Sequence, residues 1–446
     1  MLFKIVDFFI LIVISYSISE NYIIATFEIK SSDINTIYGN KIINSYENFY
    51  KNNNQKFNYV PFDENLLNEK QINNSEIFIN GINIGFKYRY IFNKTGNYTI
   101  IYKFNKPLRS TAFLFYNCIS IISIDLSNFD SRYINDTRSM FSNCRFLKFI
   151  NFANFNTINV VNMEDMFSGC SALTSLDLSS FITSKVQYAS SLFAYCQSLK
   201  SLDLSNFDTS NIIRMDLMFL NCTSLTSLII SNFNTKNVID MNNLFRNCES
   251  LTTLNLSNFN TENVVNMENM FYGCLKLSKL DVSNFETSRV KIMSGMFGDC
   301  ISLKSLNITK FSISNVEGIY KLFYNCESLI SLNLSNFIVP KNLKSTYGMF
   351  YNCKSLKLID LSNFDLSKIE FQENMFEGCP AKVITKNDQL IFNDNKVKLS
   401  GVFYYKYEFV IVIIIFIFYI YAVRLRRNKM KNNKKIFNEY FNYEKI

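Results

Sequence analysis

Residues 261–286 read TENVVNMENMFYGCLKLSKLDVSNFE, and the same pattern returns every 26 residues through more than half of a 446-residue chain. Cys274 belongs to a series, Cys118, Cys144, Cys170, Cys196, Cys222, Cys248, Cys274, Cys300 and Cys326, spaced by that interval. Cys353 follows after 27 residues and Cys379 after 26, and these eleven are all the cysteines present. Phenylalanine stands three residues before each, from Phe115 to Phe376, and twelve of the fourteen methionines lie seven or four residues before a cysteine. After the cysteine comes L-x-x-L-x-L-S-N-F, clearest in Leu199, Leu202, Leu204, Asn206 and Phe207.

Within the unit the apolar spacing changes. Val264, Met267, Met270, Phe271, Cys274 and Leu277 recur at steps of three and four, the signature of one face of a short helix or 3₁₀ segment. Thr261 precedes that run, and Thr157, Thr183, Thr209, Thr235 and Thr287 repeat the choice, which predicts a series of N-caps. Leu254 and Leu256 then alternate with Asn255, as a short strand does. Neither element buries a core alone, so the units must stack. The expected fold is an α/β solenoid: a leucine-rich-repeat stack with a parallel β-sheet on one face and short helical segments on the other, plus one C-terminal transmembrane helix. Roughly ten coils over 110–380, with strands about 4.8 Å apart, give a sheet on the order of 50 Å long.

The flanks carry different signals. Lys4, the apolar run Phe8 to Ile14 and the small residues around Ser17 predict a signal peptide over 1–19. Residues 20–109 form a non-repeat region, in which Tyr98 to Phe104 alternates like a strand and is expected to cap the first coil. Lys382 stands where a leucine should, so 381–401 reads as a cap and stalk. Phe409 to Val423 is uninterruptedly apolar or Tyr, and 402–423 is long enough to span a bilayer with Tyr404, Tyr405 and Tyr407 at its outer edge. The tail 424–446 holds eight basic residues against Glu439 and Glu444, so it supplies +6 of the net +9. The remaining +3 over 423 residues argues against nucleic acid and places the basic patch on the cytoplasmic side.

The repeat M-x-x-M-F-x-x-C-x-x-L-x-x-L-x-L-S-N-F-x-T resembles that of BspA-like leucine-rich-repeat surface proteins of bacteria and protists. The resemblance implies an exposed surface protein, with adhesins and surface antigens among its members, and it implies no catalytic residues.

The absence of His removes the commonest general base and zinc ligand. A ladder of cysteines suits a row of buried thiols, with disulfides between neighbours as the alternative; a metal finds no chelating spacing in intervals of 26. The outward strand position, seven after each cysteine, holds Asp125, Asn151, Asp177, Asp203, Ile229, Asn255, Asp281, Asn307, Asn333 and Asp360. Its polar members are the candidate ligand-binding face, or simply a solvated one. Asp177 and Asp203 on adjacent coils admit a carboxylate-pair glycosidase or a calcium site only in principle, since no cleft or apolar pocket is visible beside them. Eight sequons, at Asn73, Asn93, Asn97, Asn135, Asn221, Asn255, Asn307 and Asn333, are candidate N-glycosylation sites. The functional expectation is a single-pass surface protein, without catalysis, metal or cofactor, that contacts an extracellular protein or glycan. A structural coat and a receptor acting through a tail-bound partner are the alternatives.

Overall fold

The computed structural model describes residues 21–34, 36, 39–53 and 68–385. The expected signal peptide, the membrane span 402–423, the basic tail and most of the stalk lie outside the described residues. Among the described residues no helix is long and apolar enough to cross a membrane.

The N-terminal region supplies β1 (Tyr22–Ile29), β2 (Asn40–Lys41), β3 (Glu76–Ile79), β4 (Ile82–Asn83), β5 (Arg89–Tyr90), β6 (Gly96–Lys103) and two short helices, α1 (Tyr46–Asn53) and α2 (Glu69–Ile72). Ile23, Ala25, Phe27 and Ile29 alternate inward along β1, the period that a strand with one buried face demands. The repeat region adds β7 (Ile121–Asp125), β8 (Phe149–Asn151), β9 (Ser201–Asp203), β10 (Ser227–Ile229), β11 (Thr253–Leu254), β12 (Lys279–Leu280), β13 (Leu358–Leu361) and β14 (Lys382–Thr385). A six-stranded sheet runs β4-β3-β6-β1-β7-β8, so the N-terminal sheet continues into the first coils. The strand that covers the first coil is β1, antiparallel to β7, and not Tyr98–Phe104; β6 lies one place further out, antiparallel to β1. Asn68 closes the other side of the first coil, its Nδ2 donating to the carbonyls of Ser110 and Ala112.

In the solenoid, strands of two to five residues pair in parallel with Leu against Leu, as Leu228 with Leu202 and Leu280 with Leu254. At the far end β14 is a further parallel rung, with Lys382 opposite Leu358 and Val383 buried opposite Ile359. Lys382 comes three residues after its cysteine and Leu358 five after its own, so the last coil is two residues shorter and lysine occupies an outward place.

The expected helical segments are not helices. Among the described residues of the repeat region the one helical element is a 3₁₀ turn, Leu366–Lys368. It lies after β13, and every coil carries a run of tight turns where a helix was expected. Tyr272 N–H donates to Asn269 O at 3.1 Å and Cys274 N–H to Phe271 O at 3.1 Å, closing turns within the coil. The intervening amides point along the rod: Asn269 donates to Ser294 O, Phe271 to Met296 O and Gly273 to Gly298 O, at 2.8–2.9 Å. This alternation requires left-handed backbone twice per coil, at Asn269 (φ 53°) and Gly273 (φ 74°), which a right-handed helix cannot accommodate. Asn, Asp or Gly fills the second of these places in nearly every coil because those residues tolerate positive φ. Single parallel bridges then link the turn runs from Ser110 through Asp136, Asn162, Tyr188, Arg214, Asp240, Asn266 and Ile292 to Gly318.

The threonines are likewise not N-caps. Thr235 is buried, and its hydroxyl donates to Asn260 O at 2.7 Å while accepting from Asn260 N–H at 2.8 Å. The hydroxyl therefore stands in for a missing rung between coils, and Thr157, Thr209, Thr261 and Thr287 do the same. Where Ile313 and Val339 replace threonine, the side chain is buried without a hydroxyl.

Two aromatic columns and one thiol column fill the interior. Phe219 stacks on Phe193 and Phe245 with centroids 5.7 and 5.5 Å apart, and the column runs from Phe115 to Phe376. The cysteines are free thiols. Cys248 Sγ donates to Phe219 O at 3.2 Å, a contact repeated by each cysteine from Cys144 to Cys353. Burial pushes Cys222 and Cys274 up to about 12.

Candidate binding surface

The strand face is positioned by alternation: with Leu202 and Leu204 turned into the core, Ser201 and Asp203 must point out. Asp177, Asp203, Asn255, Asp281, Asn307 and Asn333 are exposed in a column, and Asp125, Asn151 and Asp360 are half-buried in the same column. The column is continuous in sequence position but not in chemistry, because Ile229 lies opposite Asp203 and interrupts it. At the first coils neighbouring members are hydrogen-bonded, Asn151 Nδ2 donating to Asp125 Oδ1 at 3.0 Å.

These side chains have a structural task as well. Asp177 Oδ1 accepts from Ser179 N–H at 3.0 Å, and Asp125, Asp203, Asn255, Asp281, Asn307, Asn333 and Asp360 each accept from the amide two residues on. Each one ends its strand in an Asx turn. Hydrogen bonds from the Ser179 and Ser205 backbone and hydroxyls hold Asp177 and Asp203 below the usual carboxylate range. Both are therefore anions at neutral pH, and neither is the raised-pKa acid that glycoside hydrolysis needs. No group of three His, Cys, Asp or Glu side chains able to hold a metal occurs among the described residues.

The sequons separate by surroundings. Asn73, Asn93, Asn97, Asn135, Asn255, Asn307 and Asn333 are exposed, while Asn221 is half-buried at φ 57° and accepts from Asn247 Nδ2 at 2.7 Å.

The turn face carries a second set of surface groups, which the period of the sequence did not reveal. Toward the N-terminal coils this side holds buried ion pairs rather than surface charge: Asp136 with Arg138 at 3.0 Å, and Asp216 with the half-buried Arg214 at 3.1 Å. Ser190 Oγ donates to Asp216 at 2.6 Å. Burial and then the Glu164 carboxylate push Asp165 up to about 6. Toward the C-terminal coils the face becomes aromatic, with Tyr272, Tyr320, Tyr324, Tyr347 and Tyr351. Two residues before the cysteine the sequence runs Tyr116, Ser142, Ser168, Ala194, Leu220, Arg246, Tyr272, Gly298, Tyr324 and Tyr351, a place that the repeat does not fix.

No curated protein matches the chain. A family model described as "Mycoplasma protein of unknown function, DUF285" matches four overlapping stretches, residues 109–228, 197–281, 241–359 and 276–389. Those stretches coincide with the stacked coils and cover well over half of the chain, which therefore belongs to the DUF285 family.

Proposed function

We propose that the chain is a cell-surface binding protein, an adhesin or surface antigen of the BspA-like kind, whose solenoid contacts an extracellular protein or glycan. The single observation that supports this most is the division between constant and varying positions. Within each coil the inward Phe, Cys and Leu hardly change from Cys118 to Cys353, and each is consumed in stacking or in a bond to a neighbouring coil. The outward positions vary freely, from Asp203 to Ile229 to Asn255 on the strand face and from Arg246 to Tyr272 to Gly298 on the turn face. A frame that spends its repeated residues on itself and varies only its surface is organised to display that surface along its length. The single membrane span expected at 402–423 would hold this surface outside the cell, with the basic tail inside.

The test is binding of secreted ectodomain, residues 20–400, to a panel of cells, matrix proteins and glycans. A partner protein carries Asp177→Lys, Asp203→Lys and Asp281→Lys. Saturable binding lost in the variant supports both the reading and the strand face. Binding retained moves the contact to another face. No saturable binding by either sinks the adhesin reading and leaves a structural coat protein.

A further inference from the structure

We propose that the C-terminal coils bind a linear acidic polysaccharide, laid along the rod over the lysines between Lys276 and Lys382. This inference rests on the reading of the solenoid as an extracellular binding protein and names the chemistry of its ligand.

In each coil the five residues after the cysteine lead the chain into the strand. From Cys274 onward those places hold six lysines, Lys276, Lys279, Lys304, Lys354, Lys357 and Lys382, and one carboxylate, Glu327. Lys354 pairs with Glu327 at 2.7 Å. The other five lysines are exposed, and none is in an ion pair or a side-chain hydrogen bond with a described residue. The backbone sets them in a row. Ile330 N–H donates to Lys304 O at 3.1 Å, Lys357 N–H to Ile330 O at 3.3 Å and Lys382 N–H to Lys357 O at 3.0 Å. Lys304 and Lys382 therefore stand three coil steps apart, about 14 Å at normal strand separation. Lys279 continues the row by one coil at the start of β12. The same places in the coils of Cys170, Cys222 and Cys248 hold no lysine, so the charge is concentrated at this end rather than spread by the repeat.

The width of the row selects the shape of the ligand. Asp281 lies two residues beyond Lys279 and Asp360 three beyond Lys357, roughly 7 to 10 Å along the strand. A flat anionic membrane, or a duplex broad enough to cover both columns, would meet those carboxylates together with the lysines, at an electrostatic cost. A single chain running along the rod meets the lysines alone. The composition selects its chemistry. Protein interfaces are depleted in lysine at their cores, and single-stranded nucleic acid uses aromatic rings to stack its bases. This strip holds no aromatic residue, and its exposed apolar side chains are Ile301, Ile330 and Leu358. Aliphatic groups between cations suit sugar rings, whose C–H faces alternate with carboxylates or sulfates along one chain. A lysine ammonium is a compact, hydrated point charge, fit to replace the counter-ions that a linear polyanion condenses and to gain from their release. An acidic peptide would pay in addition to order its backbone, a cost that a stiff chain of pyranose rings largely escapes.

The test uses the full chain in detergent micelles, trimmed enzymatically of N-glycans, with the eight basic residues of 424–446 changed to glutamine so that the tail contributes no cations. Probes are a sulfated glucosamine–uronate hexasaccharide and a hexagalacturonate, beside a neutral dextran oligomer, a polyglutamate peptide and an oligothymidylate. Saturable binding of at least one acidic oligosaccharide is expected, weakening steeply with added salt. Lys304→Glu with Lys357→Glu should weaken it by about tenfold or more. Lys304→Gln with Lys357→Gln should weaken it less and lower the salt slope by about 0.7 per lysine. Asp281→Asn with Asp360→Asn should tighten binding, whereas a ligand held by the carboxylate column would be lost. Asparagine already makes the same turn at Asn307 and Asn333, so this pair keeps the fold. Lys148→Glu with Lys200→Glu, four or more coils from Lys304, should leave affinity unchanged. Equal loss in that distant pair, unchanged affinity in the Lys304 and Lys357 variants, preference for polyglutamate or oligothymidylate, or binding of no acidic oligosaccharide each overturns the proposal. If none binds while the ectodomain still binds cells, the polysaccharide strip fails and the binding-protein reading stands.

Discussion

Replacing Thr235 by valine tests the hydroxyl column directly. The side chains are nearly isosteric, so the Phe and Leu packing around a fully buried site is preserved. What disappears is the one oxygen that satisfies both the N–H and the C=O of Asn260 in the next coil, at 2.8 and 2.7 Å. Each orphaned backbone group costs about 1–3 kcal/mol when buried, and Asn260 is half-buried, so the pair should cost about 2–4 kcal/mol. Thr235→Ser keeps the hydroxyl and loses one methyl, about 1 kcal/mol. Urea unfolding of the two variants against the parent gives the order, with serine milder than valine. Hydrogen exchange then separates the column from an N-cap. Loss of a rung exposes the Asn260 amide, one coil away, whereas loss of a cap would expose amides just after residue 235. Equal destabilisation by Val and Ser, or protection lost only after residue 235, would refute the reasoning.

The thiols make a second prediction. Ten of the eleven cysteines are buried and Cys379 is half-buried, so native protein should expose Cys379 alone to a thiol reagent at pH 8, with the rest reacting only on unfolding, and reducing agent should leave the melting temperature unchanged. Because burial raises Cys222 and Cys274 from about 9 to about 12, the unfolded chain ionises first, and stability should fall as pH climbs through that window. Rapid labelling of the whole set would contradict the packed column. Asp165 makes a third: its pKa is raised from 3.8 to about 6, so its contribution is fullest below pH 4 and declines as pH rises toward 6. Asp165→Asn should stabilise the protein at pH 7 and flatten that slope, since Asn243 and Asn269 fill the equivalent place elsewhere at positive φ. An unaltered pH profile would show that burial is not what perturbs Asp165.

The inward residues were legible because burial forces repetition: Phe219, Cys222, Leu225 and Met218 recur at fixed places and all prove buried. The turn runs were misread because steps of three and four are shared by helices and by overlapping tight turns. The discriminating signal was present in Asn221, Asn247, Gly273 and Asn325, residues that favour left-handed backbone and recur just before the cysteine. The dual task of the strand-face carboxylates was also written in the chain, in Asp177 followed by Ser179 and Asp203 followed by Ser205, a spacing that invites an Asx turn. The threonines misled because N-cap and rung both favour a short hydroxyl side chain.

The repeating coil-to-coil bonds join residues about 25 to 30 positions apart, whether amide to carbonyl, threonine to peptide or thiol to carbonyl. Length is therefore a free parameter of this molecule. Removing or copying one whole unit rejoins like with like and preserves the repeating bonds, whereas cutting at any other interval puts the columns out of register together. The single extra residue between Cys326 and Cys353 marks the cost of departing from that rule, for the turn-side bridges stop at Gly318 and resume at Ser345, although Leu332 still pairs with Ile359 on the strand side. A lineage carrying such a gene can lengthen or shorten its reach by unequal recombination without redesigning an interior, and populations should differ in whole numbers of coils.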